Sequence, residues 1–297
     1  MSVAYEDGMK AGTGAFLSFF AVACGSDDAH IVTNAGADWQ LLGSLDWQLD
    51  SGHEDWPCTR KTVDRDLVIT QFEPLSPSGT HHTVFTTGEP SAPDGQFACD
   101  LFEARTPLFG AGVGSNPLIL PDGVVMRVRA GQQLVLGLHV FNTTPATLRG
   151  KSGVRALIAK PTPVQVEAEA FSVWAADFAL PAARETRTSA SCALTRESTI
   201  FALHPHMHSL GTHVKVVVQT GNTERVIHDA PFEFSEQLIH PIEPLKLHAR
   251  DRVEIECTHR NTRDSVVRSG GSGAAEMCSV AVYGYPASSD GDSLCRY

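Results

Sequence analysis

Val253-Glu254-Ile255-Glu256-Cys257 alternates apolar and polar side chains residue by residue. Successive side chains of a strand point to opposite faces, so this stretch reads as a strand with one face buried. Similar β-rich runs lie upstream: Leu67-Val68-Ile69-Thr70, Leu134-Val135-Leu136, Val154-Arg155-Ala156-Leu157-Ile158 and His213-Val214-Lys215-Val216-Val217-Val218. Turn formers separate them at Ser76-Pro77-Ser78-Gly79, Pro121-Asp122-Gly123, Gly221-Asn222 and Ser269-Gly270-Gly271-Ser272-Gly273. Helical periodicity is nearly absent. Short strands divided by Gly and Pro turns predict an all-β chain of the sandwich or jelly-roll class. Lys160-Pro161-Thr162-Pro163 carries two prolines in three residues, which breaks strand pairing and suits a linker. The expected organisation is a leader over 1–24, an N-terminal domain over 25–163 and a C-terminal domain over 164–297.

Length and composition agree. The 297 residues fit one large domain or two of ordinary size, and 42% hydrophobic content can fill real cores. The net charge of -11, with no Lys/Arg run, excludes a nucleic-acid partner. Seven Cys in a turn-rich chain point to an oxidising compartment. The apolar run from Ala11 to Ala23 is too short to span a bilayer and has the length of a signal-peptide core. Phe20-Ala21-Val22-Ala23-Cys24 is similar to a bacterial lipoprotein cleavage box, with Cys24 as the lipidated residue. Glu6 and Asp7 make a poor positive leader, which a start at Met9 rather than Met1 would remove; otherwise the run reads as a buried strand or helix. Setting Cys24 aside leaves Cys58, Cys99, Cys192, Cys257, Cys278 and Cys295, an even set that fits three disulfides. The expected location is periplasmic or cell-surface, with membrane contact only through a lipid anchor.

The chemistry lies in the histidines. His81 and His82 are adjacent, His139 stands alone, and His204-Pro205-His206-Met207-His208 precedes Met277-Cys278. Imidazole nitrogens with one thioether suit copper cycling between Cu(I) and Cu(II); zinc sites rarely recruit Met, and iron or manganese would want carboxylates. His206 and His208 are i and i+2, so a strand projects both from one face. Neighbouring His81 and His82 can share an ion only at a bulge or an irregular strand end. The two sequence groups suggest two separate copper centres. His204 points to the same face as His206 and is a possible extra ligand or pocket residue. Gly110-Ala111-Gly112-Val113-Gly114 is not followed by a helical pattern, so it reads as a loop and not a dinucleotide cradle.

The order His-His, lone His, His-x-His and Glu-Met-Cys resembles the copper type II, ascorbate-dependent monooxygenases. Leu120-Pro121-Asp122-Gly123-Val124 with Leu138-His139-Val140-Phe141-Asn142, His206-Met207-His208-Ser209-Leu210-Gly211, and Tyr283-Gly284-Tyr285-Pro286 extend the resemblance over the chain from about Cys58 to Cys295. It implies two tandem jelly-roll-type β-sandwich domains with one copper each. His81, His82 and His139 would hold the electron-supplying copper, and His206, His208 and Met277 the oxygen-activating one, the two facing each other across an open cleft. It further implies disulfides Cys58–Cys99, Cys192–Cys295 and Cys257–Cys278, and hydroxylation of a C–H bond of a small molecule or peptide using O2 and ascorbate or another reductant. The peptide-amidating branch of the family holds a substrate carboxylate with Arg, Asn and Tyr. The matching positions here are His204, Ser279 and Ala281, so the resemblance does not carry that substrate over. The altered clamp keeps open a non-catalytic copper-binding exported lipoprotein, and a plain β-sandwich scaffold would bind no copper.

Overall fold

The computed structural model describes residues 38–99, 106–163, 165–288 and 294–296. The proposed leader and Cys24 lie outside the described residues. Among those described, the chain is all-β, and no helix is long and apolar enough to cross a membrane. The expected strands all form. Leu67–Leu75, Gln133–Phe141, Leu148–Ile158, Gly211–Thr220 and Arg252–Asn261 contain the five runs read from the sequence. The expected turns at 76–79, 121–123 and 221–222 fall between strands, and Gly79, Gly123 and Gly221 take positive φ there.

The first half is two six-stranded sheets. One runs Asp38–Leu49, Leu148–Ile158, Leu67–Leu75, Val124–Val128 and Val166–Glu167, with Leu118–Ile119 attached to Leu67–Leu75. The other runs Gly95–Ala98, Pro57–Thr62, Gln133–Phe141, Thr80–Gly88 and Thr106–Ala111, with Glu54–Asp55 attached to Gln133–Phe141. Between them Phe72, Phe85, Leu136, Leu138 and Met126 are fully buried. The second half has a four-stranded sheet, Glu169–Trp174, Cys278–Tyr285, Ser198–Met207 and His240–Leu247, and a five-stranded one that includes Thr223–Pro231, Gly211–Thr220, Arg252–Asn261 and Arg184–Leu194. Val173, Ile200, Leu203, Val216, Val253 and Val280 fill the core between these two sheets. Cys58–Cys99, Cys192–Cys295 and Cys257–Cys278 are bonded, which fits an oxidising compartment.

One strand pair depends on a missing side chain. Gly150 lies directly opposite Trp47, whose buried indole N–H donates to Ser152 Oγ at 2.8 Å. A Cβ at Gly150 would collide with that indole. Gly150→Ala is expected to lose about 1–3 kcal/mol, the usual cost of overpacking, read as a lowered urea midpoint with an unchanged slope.

The sheets also explain where the site forms. Cross-strand partners share a face, and Tyr283 opposes Ala202, Ala281 opposes His204, and Ser279 opposes His206. Ala202 and Tyr283 are buried in the same core as Phe85 and Leu138 of the first half. The histidine face of the four-stranded sheet is therefore laid against the first half, and its other face lines the second core.

Candidate metal centre

Thr80–Gly88 pairs antiparallel with Gln133–Phe141. His139 opposes His82, but Val140 opposes Thr80, so His81 is one residue too many for the ladder. That is the irregularity two adjacent ligands require: a bulge turns His81 back toward the face that His82 and His139 occupy. The ring centroids are 4.1 Å apart for His81–His82, 4.6 Å for His81–His139 and 5.3 Å for His82–His139.

His206 lies near the end of Ser198–Met207 and His208 follows directly, their rings 5.3 Å apart. The two histidine groups meet: His82 is 4.3 Å from His206 and 5.2 Å from His208, and His81 is 4.9 Å from His208. Ligand atoms of His81, His82 and His139 lie within 4.8 Å of one another, as do those of His82, His206 and His208. His82 therefore belongs to both triads. The separation implied by the resemblance is not found here, because the histidine face of the second half packs directly on the sheet that carries His81 and His82.

The ladder ends at Met207 opposite Cys278, and just beyond it the backbone N–H groups of His208 and Met277 both donate to Glu276 Oε2 at 3.1 Å. Met277 is half-buried. His204 joins neither triad. Its Nε2 lies 3.4 Å from Ser115 Oγ, and burial pushes its pKa down to about 4. Ala281 and Ser279 stand opposite His204 and His206 and complete that face.

The outer ring nitrogens are held. His139 Nε2 meets Glu54 Oε2 at 2.8 Å, His206 Nδ1 meets Gln237 Oε1 at 2.6 Å, and His208 Nδ1 meets the Ala275 carbonyl at 3.0 Å. Each acceptor keeps the proton on that nitrogen, so His139 presents Nδ1 inward and His206 and His208 present Nε2. Those inward nitrogens, together with Nε2 of His82 and both nitrogens of His81, are buried with no hydrogen-bond partner. Several orphaned imidazole nitrogens converging on one spot are costly unless a cation takes their lone pairs. The donor set fits a borderline or soft transition metal. Burial holds the rings neutral, their ligating form. It is the largest cause of the lowered pKa at His81 (about 2), His82, His139, His206 and His208, and the neighbouring imidazoles add to it for all five except where Glu54, Gln237, Ala275 or Glu276 pull the other way.

Four further residues build the site, and of these only Glu276, in Glu276-Met277-Cys278, falls in a motif that the sequence shows. Trp56 stacks on His139 at 4.7 Å with 8° between planes. Glu54 Oε2 also accepts the Gly273 N–H at 3.0 Å, tying the first triad to the loop before Met277. Glu276, fully buried, accepts the backbone N–H of Leu210 at 2.7 Å and those of His208 and Met277 at 3.1 Å, so one carboxylate fixes both ligand segments. Gln237 is anchored through Nε2 to the Phe234 carbonyl, through its N–H to the Val113 carbonyl, and through its carbonyl to Ser115 Oγ–H. A Cβ at Gly112 would collide with the Gln237 side chain, and one at Gly114 would crowd Ser235. Gly110 and Ala111, read from the sequence as loop, instead close the strand Thr106–Ala111, and the turn after it carries Gly112 and Gly114 because the 234–237 segment seats on it. Gln237→Leu removes the acceptor for His206 and is expected to weaken metal binding 10–100-fold. Gln237→Glu keeps the acceptor and should retain most of it, as competition with a chelator would measure.

Cys257, His259 and Cys278 also lie close together, but the two cysteines are disulfide-bonded and offer no thiolate. His259 instead sits between Thr188 Oγ1 at 3.1 Å and Glu276 Oε2 at 3.4 Å.

Comparison with known proteins agrees with this chemistry in the second half. No curated protein matches the chain. Among solved structures, an allantoicase covers 81% of this chain and 81% of its own length at 11% identity, with a TM-score of 0.26. The STIV MCP covers 84% of this chain and 97% of its own length at 9% identity, with a TM-score of 0.33. Residues 169–296, which carry His206, His208 and Met277, match the model described as copper type II ascorbate-dependent monooxygenase, C-terminal domain. Over those residues the chain is similar to the C-terminal domain of the copper type II ascorbate-dependent monooxygenases.

Proposed function

We propose that this protein is an exported copper-dependent monooxygenase that hydroxylates a C–H bond of a small molecule or peptide, using O2 and an external reductant such as ascorbate. The observation that carries the reading is the convergence of orphaned ring nitrogens from His81, His82, His139, His206 and His208, in a chain whose residues 169–296 match the C-terminal domain of copper type II ascorbate-dependent monooxygenases. Two copper ions fit it, one on His81, His82 and His139 and one on His206, His208 and Met277, in two tandem jelly-roll-type domains divided near 163. Copper supplies one-electron redox chemistry toward O2, and a thioether ligand favours its reduced state.

The chain's own groups then have defined tasks. Gln237 and the Ala275 carbonyl hold protons on the Nδ1 atoms of His206 and His208, so both rings ligate through Nε2. Glu54 does the same at Nε2 of His139, which ligates through Nδ1. Glu276 holds the backbone of His208 and Met277 at one spacing. His204, Ser279 and Ala281 line the face beside the second triad without a guanidinium or phenol, which suits a substrate lacking a carboxylate anchor at that point.

Copper-loaded protein is expected to consume O2 in proportion to added reductant, and Met277→Ala to lose at least 90% of that uptake while His81, His82 and His139 still bind. Copper binding in the parent without uptake under any reductant would instead favour a copper-binding protein that does not turn over.

A further inference from the structure

His228 and His240 stand apart from the five clustered histidines. His228 lies on Thr223–Pro231, an edge strand of the five-stranded sheet, and His240 opens His240–Leu247, an edge strand of the four-stranded sheet. These two sheets enclose the second core, so the residues come from opposite layers and meet at an open flank. Their ring centroids are 4.4 Å apart with 50° between planes. That separation falls inside the 4.1 to 5.3 Å spanned by His81–His82 and His82–His139 in the first triad.

Three observations set this pair apart from ordinary packing. Among the hydrogen bonds of the described residues, none involves either ring, although each is only half-buried and carries a donor and a lone pair. His213 and Asp229, which pair with each other at 3.1 Å, leave the two rings uncapped: along Thr223–Pro231 Asp229 points to the face opposite His228. Both imidazoles are also neutral near pH 7. Burial, then His240, pushes His228 down to about 4, and burial lowers His240. Two neutral lone pairs beside solvent, on a chain of net charge -11, make a cation acceptor.

We propose that His228 and His240 form an outlying transition-metal site, in which two imidazoles bind one divalent ion of the Cu(II), Ni(II) or Zn(II) type and water fills the remaining positions. Imidazole suits these metals better than it suits Mg or Ca, which want oxygen ligands. With two protein ligands the site is weaker than the five-histidine cluster and gives up its ion first to a chelator. The ion bridges two sheets at their unpaired edges, so its binding also stabilises the second half by mass action.

Zinc equilibrium dialysis on the full chain tests this without reference to copper turnover. His228→Gln and His240→Gln are each expected to bind one zinc fewer than the parent at saturation. The double variant should lose no more than either single one, and His213→Gln should lose none. In the unsubstituted protein, Zn(II) is expected to protect both His228 and His240 from carbethoxylation by diethyl pyrocarbonate, mapped by mass spectrometry. Equal zinc counts in the parent and both single variants, or undiminished modification of the two rings at saturating zinc, would overturn the site. The five-histidine cluster would be untouched by either result.

Discussion

His82→Ala is expected to reduce copper occupancy at both triads, whereas His139→Ala affects only the first and His208→Ala only the second. His82 is the one imidazole whose ligand atom lies within 4.8 Å of both His81–His139 and His206–His208. Its Nε2 is buried and unpartnered, and its ring contacts His206 at 4.3 Å as closely as it does His81 at 4.1 Å. Removing it takes one donor from His81, His82 and His139, takes from the ion proposed on His206, His208 and Met277 a further nitrogen within reach, and opens a cavity where the two halves meet. Loss of a ligand commonly costs metal affinity far more than the 10–100-fold that loss of an orienting partner costs. Copper per chain after dialysis against a weak chelator measures it. One ion lost from His82→Ala with the second bound as tightly as in the parent would assign His82 to a single centre.

Metal-free protein is expected to lose stability steeply as pH falls below about 6.5, the ordinary value for imidazole. His81, His82, His139, His204, His206 and His208 all have lowered pKa values in the folded chain, with burial the largest cause at each. The unfolded chain takes up protons at these residues near pH 6.5 while the folded chain does not, so the unfolded state gains. The stability present above pH 6.5 is lost down to each group's folded value, about 4 for His204 and about 2 for His81. Each residue contributes a slope of about 1.4 kcal/mol per pH unit once its unfolded form is protonated. Several acting together exhaust an ordinary margin of about 5–15 kcal/mol within one or two pH units. Urea midpoints of metal-free protein between pH 7.5 and 5 test it, and a flat profile would mean that the imidazoles are solvated or already charged. A bound divalent ion occupies the same lone pairs, so loaded protein should hold its midpoint to lower pH.

Much of this was readable from residues. The alternation at Val253–Cys257 and the turn formers around it gave the strands, because a half-buried strand needs period two and a reversal needs Gly or Pro. The His206-x-His208 spacing and the bulge demanded by His81-His82 follow from the same period, and the ladder irregularity at His139/Val140 is where that demand is met. What could not be read was distance across the fold. The approach of His82 to His206 depends on which face of Ser198–Met207 packs on the first half, and that is decided by Ala202 and Tyr283 joining a core built some hundred residues earlier. Glu54, Trp56 and Gln237 act through hydrogen bonds and stacking on histidines 31 to 85 residues away and sit in no repeating pattern. The glycines at Gly112 and Gly114 were visible as a loop, but their reason, the close seat of Gln237 and Ser235, exists only once the chain is folded.

The central claim is that the five histidines and Met277 hold copper, and the most direct test is copper stoichiometry on mature protein by elemental analysis after loading and exhaustive dialysis. Under the proposed function two tightly held ions per chain are expected, with one retained in Met277→Ala under reducing conditions. Less than one tightly held ion in the parent would contradict it, since the orphaned nitrogens of His81, His82, His139, His206 and His208 would then have no cation to satisfy them.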